Sequence, residues 1–379
     1  MSSGIISPSQ LMRPSASEIP AIVAHHECSR VFLVLDEDAY HGSGANAELE
    51  PFLQQLSTSR FVEFELNPKI EDIERGVSQC RDFKPDVVIA LGGGTAIDLG
   101  KLIGSLSMQL GSPREIVTGE CSIDRPGPPL IAVPTTAGTG SEATHFAVAY
   151  VNGEKFSCAH PTLLPDYAIV DPTLTHSLPK GITAATGLDA FCQAIESIWA
   201  VGATDESILW ATEAGMLARK NLVEATQAPT TEVRAAMSRA SHLAGKAINI
   251  SKTTAPHALS YYLTSNHDIP HGMAVAVTLS TMLAYNAEVT NSDCVDQRGA
   301  DHVRKRIATI CSIMQAADVE SACAKIEKLI SDLDCPASLA DAGIVERNLV
   351  RSMVDSANME RMSNNPRSID SATLLDLLT

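Results

Sequence analysis

Three short apolar runs punctuate the first half of the chain: "RVFLVLD" at 30–36, "PDVVIAL" at 85–91 and "PLIAV" at 129–133. Each is rich in β-branched residues and leads into turn or helix signals, the pattern of strands buried on both faces of a parallel sheet. Between the first two, "IEDIERGVSQCRDF" spaces Ile70, Ile73 and Val77 at helical intervals. Strands alternating with helices predict a doubly wound parallel α/β sheet. After about residue 180 strand signals largely stop, and long amphipathic stretches follow at 182–200, 206–223, 231–248 and 317–332. The expected organisation is an α/β domain over 1–180 and an all-helical domain over 181–379. No internal repeat or low-complexity linker separates them.

The second apolar run opens into "LGGGTAIDLGK" at 91–101. A triple glycine between a buried strand and a helix lets backbone approach a ligand closely, while the helix N-terminus offers free N–H groups to a phosphate. Two familiar phosphate motifs fail here. A Walker loop needs Gly at 95 and Ser or Thr at 102, occupied by Thr95 and Leu102, and the Rossmann fingerprint needs Gly at 97, which is Ile97. The loop "VPTTAGTGSEAT" at 133–144 adds Thr135, Thr136, Thr139 and Ser141 hydroxyls beside two more glycines, and pairs with the first loop as a dinucleotide site. Asp36 ends the first strand, where a carboxylate either accepts from a ribose and repels a 2′-phosphate or caps the next helix.

The helical half holds a different chemistry. In "GLDAFCQAIES" (187–197), Asp189 and Gln193 lie one turn apart on one helix face. In "APHALSYYLTSNHDIPHGMAVAV", His257 and His271 sit in apolar, Pro-preceded surroundings, with Tyr261 and His267 between them. The set is two imidazoles, one carboxylate and one amide oxygen, and the residues alone leave open whether a metal ion, a substrate or nothing sits at their common point. His25, His26, His41 and His242 read as ordinary structural histidines.

Composition narrows the partners. A formal charge of −17 over 379 residues argues against nucleic acid and anionic membrane. No run approaches the roughly 18 apolar residues of a membrane helix. The start "MSSGIISPSQLMRPS" lacks a basic region followed by an apolar one, and nine scattered cysteines read as reduced thiols, so a cytoplasmic protein is expected.

Together these segments resemble the iron-containing (group III) alcohol dehydrogenases over nearly the whole chain. The matching pieces are "NPKIEDIERGV", "LGGGTAIDLGK", "PTTAGTGSEAT", "KFSCAHPTLLPDYAIVDP", "GLDAFCQAIES", "PHG" at 270–272 and "SNNPR" at 363–367. The resemblance implies a dinucleotide-binding domain, a helical domain, and one divalent metal between them, Fe²⁺ first and Zn²⁺ or Mn²⁺ as alternatives. It implies Asp189, Gln193, His257 and His271 as metal ligands, and Gly93, Gly94, Thr95, Asp98, Thr135, Thr136, Thr139 and Lys155 as cofactor residues. Asp36 and Asn67 fall toward the adenosine end, favouring NAD(H) over NADP(H). Relatives usually carry His where this chain has Gln193, and many carry a catalytic His where it has Tyr261; Tyr261 and His267 are the proton-donor candidates.

The segment "AINISKTTAPHALSYYLT" and the Gln in "GLDAFCQAIES" resemble the phosphonoacetaldehyde reductase branch, whose reaction yields 2-hydroxyethylphosphonate. A phosphonate entering so acidic a protein needs local cations, and Lys252, Arg361 and Arg367, with His145 and His267, are the candidates. The alternatives are a general short-chain alcohol or diol dehydrogenase and, from another class, a dehydroquinate-synthase-like lyase. A homodimer is expected.

Overall fold

The computed structural model describes residues 10–379, so the first nine residues of the N-terminal reading lie outside the described residues. Eight strands are present there: β1 (Leu11–Arg13), β2 (Arg30–Leu35), β3 (Ser57–Phe61), β4 (Val87–Gly92), β5 (Leu130–Pro134), β6 (Phe146–Val151), β7 (Glu154–Ala159) and β8 (Tyr167–Ile169). Six form one parallel sheet in the order β1-β8-β5-β4-β2-β3, and β6 and β7 form a separate antiparallel hairpin. The three apolar runs became β2, β4 and β5. These are central strands, nearly every residue of them buried, as their uninterrupted hydrophobicity requires.

The remaining strands had weaker signals. β3, "STSRF", is a largely polar edge strand, and β1 and β8 are three residues each. The hairpin did carry a legible mark. Tyr150 pairs with Lys155 and Val151 with Glu154, leaving Asn152 and Gly153 as the two-residue turn. Both have positive φ, 52° and 81°, the conformation that makes Asn-Gly the preferred tight hairpin turn. The helix Ile70–Phe83 buries Ile70, Ile73, Val77 and Cys80 on one face, as the spacing predicts.

The chain divides into two compact units. The first runs to Thr136 and resumes over Gly140–Leu178; the second comprises Ala137–Thr139 and Pro179–Thr379. The second unit is helical, including Lys180–Trp199, Asp205–Gln227, Thr231–Ser251, Ala255–His267 and His271–Ala276. Lys180–Trp199 is buried on all sides along its second half, from Gly187 to Trp199, and acts as the central post of that unit. That burial leaves polar residues on it no solvent, so each must find a partner inside. Among the described residues, no helix is long and apolar enough to cross a membrane.

Candidate functional site

Asp189, His257 and His271 each bring one ligand atom to within 4.8 Å of the others. They come from three separate helices, and one glycine makes the meeting possible. A Cβ on Gly272 would stand 1.9 Å from the Ala185 carbonyl oxygen and 2.9 Å from Asp189 Cβ, so only glycine lets the His271 helix press onto the Asp189 helix. The two imidazole rings stand edge to face with centroids 5.5 Å apart, and the Tyr261 ring lies over His271 at 6.2 Å.

Gln193 lies one turn beyond Asp189 and is buried. Its Nε2 donates to the Thr139 carbonyl at 3.2 Å. A carbonyl only accepts, so this contact fixes which end of the amide is nitrogen. Its Oε1 is buried with no hydrogen-bond partner. Leaving such an acceptor unmet costs about 1–3 kcal/mol, unless a cation meets it. The donor set of two imidazoles, a carboxylate and an orphaned amide oxygen therefore fits a divalent ion.

Electrostatics point the same way. His257 Nε2 is 3.3 Å from Asp189 Oδ1, and Nδ1 contacts Glu196 Oε1. Burial pushes the His257 imidazole down, but Glu196 and Asp189 overcome that and raise it to about 10. The surroundings thus demand positive charge at this point. Glu196 was not singled out in the sequence, although its place seven residues after Asp189 puts it on the same helix face.

In the first unit the glycine turn gathers most of the predicted cofactor residues at the carboxyl ends of β2, β4 and β5, where α/β sheets bind ligands. Gly92 has φ of 147°, and a Cβ there would meet Ala96 Cβ at 2.7 Å and Asp36 Cβ at 2.8 Å. Gly93 precedes the helix Gly94–Leu106, whose N-terminus is capped by no side chain. The Asn67 amide donates to Thr95 Oγ1 at 3.3 Å, and Thr136 lies against Gly93. Thr135 Oγ1 is buried without a hydrogen-bond partner. Asp36 does cap the following helix, through Oδ1 to the Ala39 amide at 3.0 Å.

Several predicted residues are committed elsewhere. Asp98 is turned toward the hairpin, accepting from Ser141 Oγ and from the Val148 amide at 2.9 Å. Lys155 sits on β7 opposite Tyr150. Lys252 is at the C-cap of Thr231–Ser251 with its ammonium paired to Glu360. Arg367 is bound to Asp293 at 2.8 Å and to the Tyr285 carbonyl at 2.7 Å and is stacked on the Tyr285 ring. Arg361 is buried, on the short helix Met359–Ser363, which packs against the His257 helix. His267 does not join the metal-type cluster; its ring packs against Tyr262. His145 stands at the start of β6 with its ring edge against Phe146.

Comparison with known proteins places this arrangement. Residues 11–172 match the family described as iron-containing alcohol dehydrogenase, and residues 183–379 match its C-terminal counterpart. The chain is 34% identical over 309 residues to phosphonoacetaldehyde reductase of Streptomyces viridochromogenes, covering 79% of this chain and 77% of that one. It is 34% identical over 299 residues to long-chain-alcohol dehydrogenase 1 of Geobacillus thermodenitrificans, covering 78% and 74%. The crystal structure of sulfoacetaldehyde reductase from Bifidobacterium kashiwanohense in complex with NAD⁺ superposes with a TM-score of 0.87 at 28% identity, covering 100% and 98%.

Proposed function

The chain belongs to the iron-containing alcohol dehydrogenase family, and we propose that it reduces phosphonoacetaldehyde to 2-hydroxyethylphosphonate with NADH. The observations that carry the metal part are the cluster of Asp189, His257 and His271 and the buried, partnerless Oε1 of Gln193 one helical turn beyond Asp189. These four side chains would hold one divalent ion. An amide oxygen is harder than imidazole, so Fe²⁺ or Mn²⁺ suits the set better than Zn²⁺. The bound ion supplies Lewis acidity toward a carbonyl oxygen, and the dinucleotide supplies the hydride.

The chain's own residues do the remaining work. Gly93, Gly94 and the N-terminus of Gly94–Leu106 receive the diphosphate. The free oxygen of Asp36 meets the ribose and repels a 2′-phosphate, which gives the NADH preference. Thr135 directs its unmet hydroxyl to the cofactor. Tyr261, stacked over His271, donates the proton that completes the alcohol. Arg361 meets the phosphonate, because it is a buried guanidinium on a helix packed against the His257 helix. The phosphonate reading draws on the Streptomyces relative, and the Bifidobacterium neighbour is also named for a two-carbon aldehyde with an oxyanion. A cytoplasmic homodimer belongs to the same reading, and sedimentation measures it.

Following NADH absorbance with phosphonoacetaldehyde and with propanal tests the proposal. A much higher kcat/KM for phosphonoacetaldehyde is expected. Equal values would leave a general alcohol dehydrogenase, the second reading, which the equally similar Geobacillus relative favours. Turnover without net NADH change would mean a lyase.

A further inference from the structure

We propose that Glu196 is a positioning residue, whose carboxylate holds the His257 ring with its Nε2 directed to the cluster it forms with Asp189 and His271. The inference rests on the metal reading above. Asp189, Gln193 and Glu196 occupy one face of Lys180–Trp199, at successive turns. Glu196 is fully buried, and a buried carboxylate is tolerated only where donors satisfy it.

Here the donors are all present. Oε2 accepts from the Thr254 amide at 2.7 Å and from the Thr254 hydroxyl at 2.8 Å. Trp199 Nε1 donates to that hydroxyl at 2.8 Å, so the hydroxyl's own proton is directed to Glu196. Oε1 contacts His257 Nδ1. The carboxylate therefore cannot turn away. It offers Nδ1 only lone pairs, so a hydrogen stays on Nδ1 and Nε2 is the nitrogen that gives up its proton to a bound ion, which is the form a metal ligand needs.

Charge balance gives Glu196 a second reason to be there. Two ligand imidazoles and an amide are neutral, so Asp189 alone would leave a divalent ion half compensated in a buried place. Asp189 and Glu196 together supply two negative charges. Near His271, Ser260 Oγ stands 3.5 Å from Nδ1 and donates to the His257 carbonyl at 2.9 Å.

Glu196→Gln tests this with little change of shape. Its amide oxygen keeps both Thr254 donors, but its NH₂ then faces Nδ1 and drives the hydrogen to Nε2. Equilibrium dialysis with Mn²⁺ should show the variant binding about 10–100-fold more weakly than wild type. The thermal midpoint measured in chelator should stay within a few degrees, which a merely structural role would not allow. A folded Glu196→Gln protein with wild-type Mn²⁺ affinity overturns the inference and leaves the metal reading standing. Wild-type protein that binds no Mn²⁺ overturns both. If Glu196→Gln does not fold, Thr254→Val, which keeps the backbone donor and loses the hydroxyl, should weaken Mn²⁺ binding several-fold; unchanged affinity there counts against the proposal.

Discussion

The two candidate sites of this chain are built from different materials. The glycine turn of the first unit is made of backbone N–H groups and hydroxyls, contributed by residues adjacent to the ends of three neighbouring strands. The cluster of the second unit is made of side chains from three helices, brought together by a glycine, with a buried carboxylate in contact with one of its imidazoles. A site of backbone and hydroxyls spreads its binding over many weak contacts, whereas a buried ligand cluster concentrates it in a few charged groups. Single substitutions should therefore be graded in the first unit and severe in the second.

The largest effect expected is at the cluster. His257→Ala or His271→Ala should lower kcat/KM by about a thousandfold, since loss of Lewis acidity removes several kcal/mol and each 1.36 kcal/mol is tenfold. A loss below about tenfold, read in the NADH assay, would erase the contrast between the units. Next comes Arg361→Ala. The ratio of kcat/KM for phosphonoacetaldehyde over propanal should fall roughly 10–100-fold, as one charge-assisted contact of about 1.5–3 kcal/mol implies. Lys252→Ala should leave that ratio near its starting value, because its ammonium already belongs to Glu360.

Asp36→Gly sharpens the comparison from the other unit. It should shift the NADH-over-NADPH preference by roughly tenfold, about what one repulsive contact near a protein surface supplies. A wild-type enzyme that already prefers NADPH would contradict the role of Asp36. The smallest effect concerns stability alone. Lys101 is buried, donating to Ser141 Oγ, Thr144 Oγ1 and the Phe146 carbonyl, and burial lowers it to about 8. The folded chain thus releases this proton near pH 8, while the unfolded chain keeps it to the ordinary lysine value of about 10.4. Between those values the unfolded state binds more protons, so stability should rise with pH relative to Lys101→Met, by at most about 1.4 kcal/mol per unit. Urea unfolding at pH 7.5, 8.5 and 9.5 measures it.

The same division explains what was legible in the sequence. β2, β4, β5 and the glycine turn announce themselves because their signals are local: an apolar run, then glycines. Asp189, Gln193, His257 and His271 were legible as a set only through residue type and resemblance, since periodicity says nothing about which helices meet. Glu196 was missed because it reads as one more polar residue in a helix; its significance appears only when Thr254 and His257 are seen around it. The ion pairs of Lys252 and Arg367 were illegible for the converse reason. Proximity in sequence to His257 or to "SNNP" carries no information about Glu360 and Asp293, which claim their charges. The Asn152-Gly153 turn was readable, and it marked the hairpin that holds Lys155.

The central claim is that Asp189, Gln193, His257 and His271 hold one divalent ion, and ion stoichiometry tests it most directly. Chelator-treated protein, dialysed without oxygen against Fe²⁺, should take up one ion per chain and regain aldehyde reduction in proportion. Asp189→Ala, treated identically, should take up none at the same concentration. Full activity in ion-free wild-type protein, or equal uptake by Asp189→Ala, would contradict the account.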